Sequence, residues 1–327
     1  MPDMVQTTSE LTKEDRTIWL KARLGIGRMN LRAKPGLYFL GQPNRDSPVF
    51  VTANYQLSFN SLRSRLSDLH CYILVLDTRG INVWCAAGEG TFGTDELVHR
   101  IESTNLKTIV NHRVLILPQL GAPGVAAPQV RKRTGFKVEW GPVRACDIPE
   151  YMKTGEATPE MRRVRFDLKN RVELIPVEVT NIFAPLAIAL IVLFLVGMSY
   201  TALMITTIVA AGMVLFPILL PFLPTHDFSS KGLILGVLAS TPFMAREYFA
   251  NAGEPFWLAV MLTIIPAFLM SPWIAFISLN FTGATTFTSR TGVRREIFRY
   301  VPLIAATFII GLSLEIGFNV AKWYGAI

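Results

Sequence analysis

The sequence predicts an α/β domain built on a mixed sheet, followed by an all-α transmembrane bundle of five helices. Three observations carry this: an uneven spread of charge, short apolar strands alternating with helical stretches in the first half, and long uncharged apolar runs in the second. Residues 1–179 hold 25 of the 32 Lys and Arg and 19 of the 24 Asp and Glu, which leaves seven basic and five acidic side chains for the last 148 residues. That is too few to solvate a globular surface, so the second part is expected to face lipid.

In the first part, residues 37–40, 49–52, 72–76, 82–85, 114–117 and 136–140 read as strands, and 58–67, 95–102 and 125–133 as helices. The alternation argues for a Rossmann-like α/β sheet. The sheet is expected to be mixed because Thr78-Arg79-Gly80 looks like a hairpin turn between two strands. Residues 1–35 find no partner in this scheme and read as an N-terminal arm or peripheral helix, ahead of an α/β domain over 36–160. Met1–Arg23 is polar and charged, without the apolar stretch of a signal peptide, so the α/β domain is expected to stay on the cytoplasmic side.

Residues 161–180 form a basic linker with Arg162, Arg163, Arg165, Lys169 and Arg171, and residues 181–327 form the transmembrane domain. Juxtamembrane placement accounts for the net charge of +8 through membrane lipid and topology control, and argues against nucleic acid as a partner. No charged residue occurs from Val179 to His226, a run about twice as long as one helical crossing requires. Spans are expected at 182–198, 200–223, 232–250, 256–281 and 300–318. With the α/β domain inside, the loop carrying Arg290, Arg294, Arg295 and Arg299 also falls inside, and the C-terminus outside. Arg246 and Glu315 then lie at similar depth in the third and fifth spans, both of which run from inside to outside, and are expected to pair.

Chemistry concentrates in Gly80–Val98, G-I-N-V-W-C-A-A-G-E-G-T-F-G-T-D-E-L-V, where a strand is expected to deliver Cys85 to a glycine-rich turn, with Thr94 capping the next helix. A free cysteine is most often a small buried hydrophobe, and this reading suits Cys71 and Cys146. The three cysteines form no C-x-x-C pair or metal-finger spacing, which fits a reducing compartment. Gly88, Gly90 and Gly93 fit the dinucleotide fingerprint of a nucleotide-binding oxidoreductase, but its acidic residue is missing where the next strand ends in Leu117-Pro118-Gln119. Asp68-Leu69-His70 begins a histidine-on cobalamin motif whose glycine is absent, and His99, His112 and His226 form no ligand cluster.

The run N-V-W-C-A-A-G, Asn82 to Gly88, resembles the cap-helix signature of HgcA, the corrinoid-dependent mercury-methylating membrane protein family. The likeness continues in P-G-L-Y from Pro35, P-V-F-V-T-A-N-Y from Pro48, L-D-T-R-G-I from Leu76, L-P-Q-L-G-A-P-G-V-A-A from Leu117 and T-G-F-K-V from Thr134. It extends to N-F-T-G-A-T-T-F-T-S from Asn280 and G-V-R-R-E from Gly292. The resemblance implies a corrinoid-binding domain followed by five spans, with Cys85 as catalytic residue and lower axial ligand of the cobalt. It also implies that Asn82, Val83, Trp84, Ala86, Ala87, Gly88, Gly90 and Thr91 are the cofactor-binding residues around it. Small side chains would let the flat macrocycle approach the backbone, Trp84 is expected to be a core anchor, and Glu89 stands where the family commonly has Lys.

The implied reaction passes a methyl group from methyl-Co(III) corrinoid to inorganic Hg(II), giving methylmercury. A thiolate opposite the methyl group donates charge to cobalt, which needs two electrons before it can accept another methyl from a folate-type methyltransferase system. The implied reductant is a ferredoxin-like partner with two [4Fe-4S] clusters, since this chain lacks cluster-binding cysteine runs.

Overall fold

The computed structural model describes residues 4–285 and 290–325. The part of the 280–289 tract at Thr286–Ser289 lies outside the described residues. The chain divides into two compact units, Met1–Arg165 and Phe166–Ile327.

The first unit is organised on six strands, β1 (Met4–Thr7), β2 (Gly36–Leu40), β3 (Val49–Ala53), β4 (Cys71–Leu76), β5 (Val114–Leu117) and β6 (Lys137–Trp140). Their order in the sheet is β1-β2-β4-β3-β5-β6. β4, β3, β5 and β6 run parallel, whereas β2 lies antiparallel to β4 and carries β1 as a parallel edge strand. The sheet is therefore mixed, but through β2 rather than through a hairpin at Thr78-Arg79-Gly80. That turn leads from β4 into a helix.

Side-chain alternation sorts the central strands between two faces. Val49, Val51, Leu74, Leu76, Leu115 and Leu117 pack under α3 (Val83–Glu89), α4 (Thr94–Ser103) and α6 (Ala127–Thr134). Phe50, Cys71, Ile73 and Val75 pack on the other face, with Phe59 and Leu62 of α2 (Gln56–Arg63) and Ile148 of α7 (Ile148–Thr154). A short helix α5 (Leu106–Ile109) precedes β5. Both faces are covered, as a mostly parallel sheet requires.

The amino-terminal segment is more than an arm, since β1 joins the sheet and α1 (Lys13–Arg23) is latched to α2. Arg63 Nη2 donates to Asp15 Oδ2 at 2.6 Å, its Nη1 donates to the Thr8 and Glu10 carbonyls, and Asn60 Nδ2 reaches Asp15 Oδ1 at 2.9 Å. Burial works against the Asp15 carboxylate, but hydrogen bonds from Arg63 and Thr12 outweigh it and hold the group below its ordinary range. β1 was illegible because its residues are mostly exposed and show no alternation of burial.

Among the described residues of the second unit five helices are long and apolar enough to cross a membrane: Leu168–Leu195, Ser199–Leu219, Phe228–Ala250, Phe256–Gly283 and Thr291–Trp323. The expected spans fall on these five, with the first beginning earlier in the chain and the last extending further at both ends. The third and fourth pack closely, and a Cβ added at Gly236 would stand 2.4 Å from the Ser271 Cα. The expected Arg246–Glu315 pair does not form. Arg246 Nη1 contacts Glu247 Oε1 at 2.6 Å and its guanidinium lies over the Tyr200 ring, while Glu315 accepts from Asn319. The long arginine side chain can curl back to its chain neighbour, a contact that helical spacing alone disfavours.

Candidate functional site

A cleft of about 350 Å³ opens beside the carboxyl ends of β3 and β5. It is lined by Phe50 and Thr52 of β3, Ile116 and Leu117 of β5, Tyr55 and Ser58 at the start of α2, and Asn82, Val83 and Trp84. The chain leaves β3 through α2 on one face and β5 through α6 on the other, so the two strands diverge at a topological switch point. Open α/β sheets bind ligands in this crevice.

Residues Asn82–Cys85, expected as a strand, instead begin α3. The apolar alternation of Ile81, Val83 and Cys85 reads as extended chain, but Asn82 acts as an N-cap and overrides it. Its Oδ1 accepts from the Cys85 N–H at 3.0 Å, and its Nδ2 donates to Cys85 Sγ at 3.4 Å. Cys85 is half-buried, whereas Ala86 and Ala87 turn inward to the core. Trp84, expected as a core anchor, lines the cleft and is only partly buried.

Gly88 and Glu89 finish α3 on its exposed side, and Gly90 ends the helix at φ 89°, a left-handed conformation that favours glycine. Thr91 Oγ1 turns back to the Ala86 carbonyl at 3.5 Å, and Phe92 is fully buried behind it. The loop after β5 fits tightly against this turn. A Cβ at Gly124 would stand 2.2 Å from the Phe92 carbonyl oxygen and 3.0 Å from Ala87 Cα, so the position accepts only glycine without a shift. The helix that follows is capped by Gly93 rather than Thr94, and Thr94 Oγ1 accepts from Ala126 N–H.

The turn ahead of α3 rests on a residue that sequence reasoning missed. Asn54, buried just past β3, accepts with Oδ1 from Thr78 N–H, Thr78 Oγ1 and Gly80 N–H at 2.9–3.0 Å. Its Nδ2 donates to Asp77 Oδ1 at 3.1 Å. One side chain thus ties β3 to the segment that aims Asn82 and Cys85. The signal available was Asn54 at the end of an apolar strand, where a polar residue must find buried partners.

The other cysteines have different surroundings. Cys71 is fully buried in β4, and burial pushes its thiol up to about 12. Cys146 is exposed beside Asp147. His70 accepts from Gln42 N–H, and His112 contacts the Ser47 carbonyl, so both have structural partners. Among the described residues no group of three or more His, Cys, Asp or Glu is gathered in the manner of a metal-ion cage. Gly88, Gly90 and Gly93 do not form one strand-to-helix phosphate loop, because α3 intervenes before Gly90 and removes the context that the dinucleotide fingerprint requires.

Residues 25–152 match the family model described as CO dehydrogenase/acetyl-CoA synthase delta subunit. The same region is similar to subunits gamma of acetyl-CoA decarbonylase/synthase complexes. The protein from Methanopyrus kandleri is 34% identical over 122 residues, 37% of this chain and 26% of the relative. That from Archaeoglobus fulgidus is 34% identical over 128 residues, 38% of this chain and 27% of the relative. The chain spans about a quarter of the length of these curated relatives. The matched segment includes β2–β6, all of α3 and the cleft lining apart from Arg23.

Proposed function

We propose that the first unit binds a corrinoid with Cys85 as the residue that would hold its cobalt, and that the whole chain is a membrane-anchored corrinoid methyltransferase acting on inorganic Hg(II). The observation that carries this reading is the half-buried Cys85 sulfur, held by Asn82 on a short capped helix whose first residues, Val83 and Trp84, line the cleft while Cys85 stands just outside that lining. The similarity of residues 25–152 to subunits of acetyl-CoA synthase and decarbonylase/synthase complexes supports the corrinoid part of this reading and does not bear on Hg(II).

The residues fit such a group. The donor is a single soft sulfur, followed by Ala86, Ala87 and Gly88, and a Cβ at Gly88 would meet no protein atom within 4 Å. Bound there, the corrinoid would supply a cobalt centre from which a methyl group passes to Hg(II) to give methylmercury. Cys85 would supply a thiolate, deprotonated by coordination to the cation. Asn82 would orient the sulfur by holding both the Cys85 N–H and Sγ. Buried Ala86 and Ala87 would fix the helix to the core, and Asn54 would keep the preceding turn in place.

The three cysteines lie in separate environments and supply no cluster site, so a ferredoxin-like protein with two [4Fe-4S] clusters is proposed as the electron donor, with a separate methyltransferase system as methyl source. The arginines at 290–299 support placing the first unit in the cytoplasm and the C-terminus outside. A second reading, favoured by the relatives' names, is a corrinoid-binding membrane subunit that does not methylate mercury. The test is methylmercury formation from Hg(II) by the purified full chain with corrinoid, the ferredoxin partner and a low-potential reductant. Wild type and the Cys71→Ala and Cys146→Ala variants are expected to form product, and Cys85→Ala to fall to background. Corrinoid-loaded wild type that forms none would favour the second reading.

A further inference from the structure

The second unit holds a polar pocket that the methyl-transfer reading does not use. It measures about 670 Å³ and lies where the third and fifth apolar helices begin, between Thr225–Ser230 and Gly292–Tyr300. Its inner wall is tied together. Glu296 is buried and accepts from Ser229 N–H at 2.6 Å, and the Tyr300 hydroxyl donates to Asp227 Oδ2 at 2.9 Å. Both acidic groups are thereby engaged in joining the two helix starts.

The outer wall differs. Arg295 and Arg299 are exposed and stand four residues apart, on one face of the last helix. The Arg299 guanidinium lies over the Tyr300 ring at 5.5 Å, and His226 and Thr225 complete the exposed lining. From Val301 to Leu314 the same helix carries no charge, a rise of about 21 Å that would occupy most of a hydrocarbon core. The two arginines thus sit within two turns of the point where the helix becomes fully apolar, where lipid phosphates would lie. Basic pockets between spanning helices at this level suit anionic headgroups.

We propose that this pocket binds the phosphate of an anionic membrane lipid through Arg295 and Arg299. Two guanidinium groups supply paired donors for phosphate oxygens at the mouth, while the two carboxylates, still charged, are held in the inner wall by Ser229 N–H and the Tyr300 hydroxyl. The lipid would brace the starts of the third and fifth helices.

The test is native mass spectrometry of the detergent-solubilised full chain titrated separately with phosphatidylglycerol, phosphatidylcholine and inorganic phosphate. Phosphatidylglycerol is expected to be retained in preference to phosphatidylcholine, and millimolar inorganic phosphate not to displace it. The Arg295→Gln/Arg299→Gln double variant should lose about thirtyfold in retention, at roughly one basic-residue contribution per arginine. Arg295→Lys/Arg299→Lys should keep most of it, and Arg294→Gln, whose guanidinium lies over Phe298, should keep all of it. Equal retention of the two lipids by wild type would overturn the proposal whatever the variants do. So would unchanged retention in the double glutamine variant, or displacement by inorganic phosphate, which would mark a soluble-anion site.

Discussion

β4 and α3 follow one another in the chain, each carries a cysteine, and they treat it in opposite ways. Cys71 lies in a strand buried along its whole length, against Ile73, Val75 and Phe59, and burial alone sets its chemistry. Cys85 lies on a seven-residue helix with a buried side and an open side, and the Asn82 amide reaches its sulfur. The same residue type is therefore a core filler in one element and a candidate ligand in the next. What separates the two elements is six residues of turn, fastened by Asn54.

The largest effect on this contrast is expected from Asn54→Ala, which would strip the partner from Thr78 N–H and Gly80 N–H at once, while Thr78 Oγ1 keeps the Ile81 carbonyl. Leaving buried donors unpaired should cost about 2–4 kcal/mol, read as a lower urea midpoint, and corrinoid retention should fall with it. A variant as stable as wild type would show that α3 is positioned by its own packing. Next is Cys71→Ser, which puts a hydroxyl into an apolar site and should cost about 1–3 kcal/mol, whereas Cys85→Ser should leave the midpoint within about 0.5 kcal/mol. Equal losses would erase the contrast.

The contrast should also appear as pH dependence. The Cys71 thiol is raised from 9.0 to about 12 in the folded chain, so the folded state holds its proton more tightly than the unfolded state does. Its contribution to stability is fully present below pH 9 and is lost as pH rises through about 12. At pH 8 iodoacetamide should label Cys85 and Cys146 in native protein and spare Cys71 until denaturant is added. Asp15 works in the other direction. Its folded-state value is lowered, so its contribution is present above its ordinary value of 3.8 and is lost as pH falls below it.

Legibility in the sequence followed the same divide. β3, β4 and β5 could be read because buried parallel strands are continuous apolar runs, β2 as a short apolar run, β6 from the alternation of Phe136, Val138 and Trp140 with Lys137 and Glu139, and the five apolar helices because lipid excludes charge. The motif around Cys85 was visible, but its secondary structure was not. Seven residues are too few to display a helical period, and the deciding bond is local, from Asn82 to the Cys85 N–H. Asn54 was missed because its partners lie more than twenty residues away. Arg246 misled because depth in a membrane was counted while side-chain reach was not.

The smallest effect is expected at Glu89. It is exposed at the end of α3 and stands where the resembled family commonly has Lys. Glu89→Lys should leave stability unchanged and alter corrinoid affinity by no more than about fivefold, as one exposed charge allows. A larger gain in titrations of the full chain would show that the helix end contacts a charged group of the cofactor.

The measurement closest to the central claim is X-ray absorption at the cobalt edge of the corrinoid-loaded full chain. The account predicts one sulfur scatterer on cobalt in wild type and in the Cys71→Ala and Cys146→Ala variants, and its loss in Cys85→Ala. Sulfur that persists in Cys85→Ala, or cobalt in wild type bound only by nitrogen and oxygen, would contradict it.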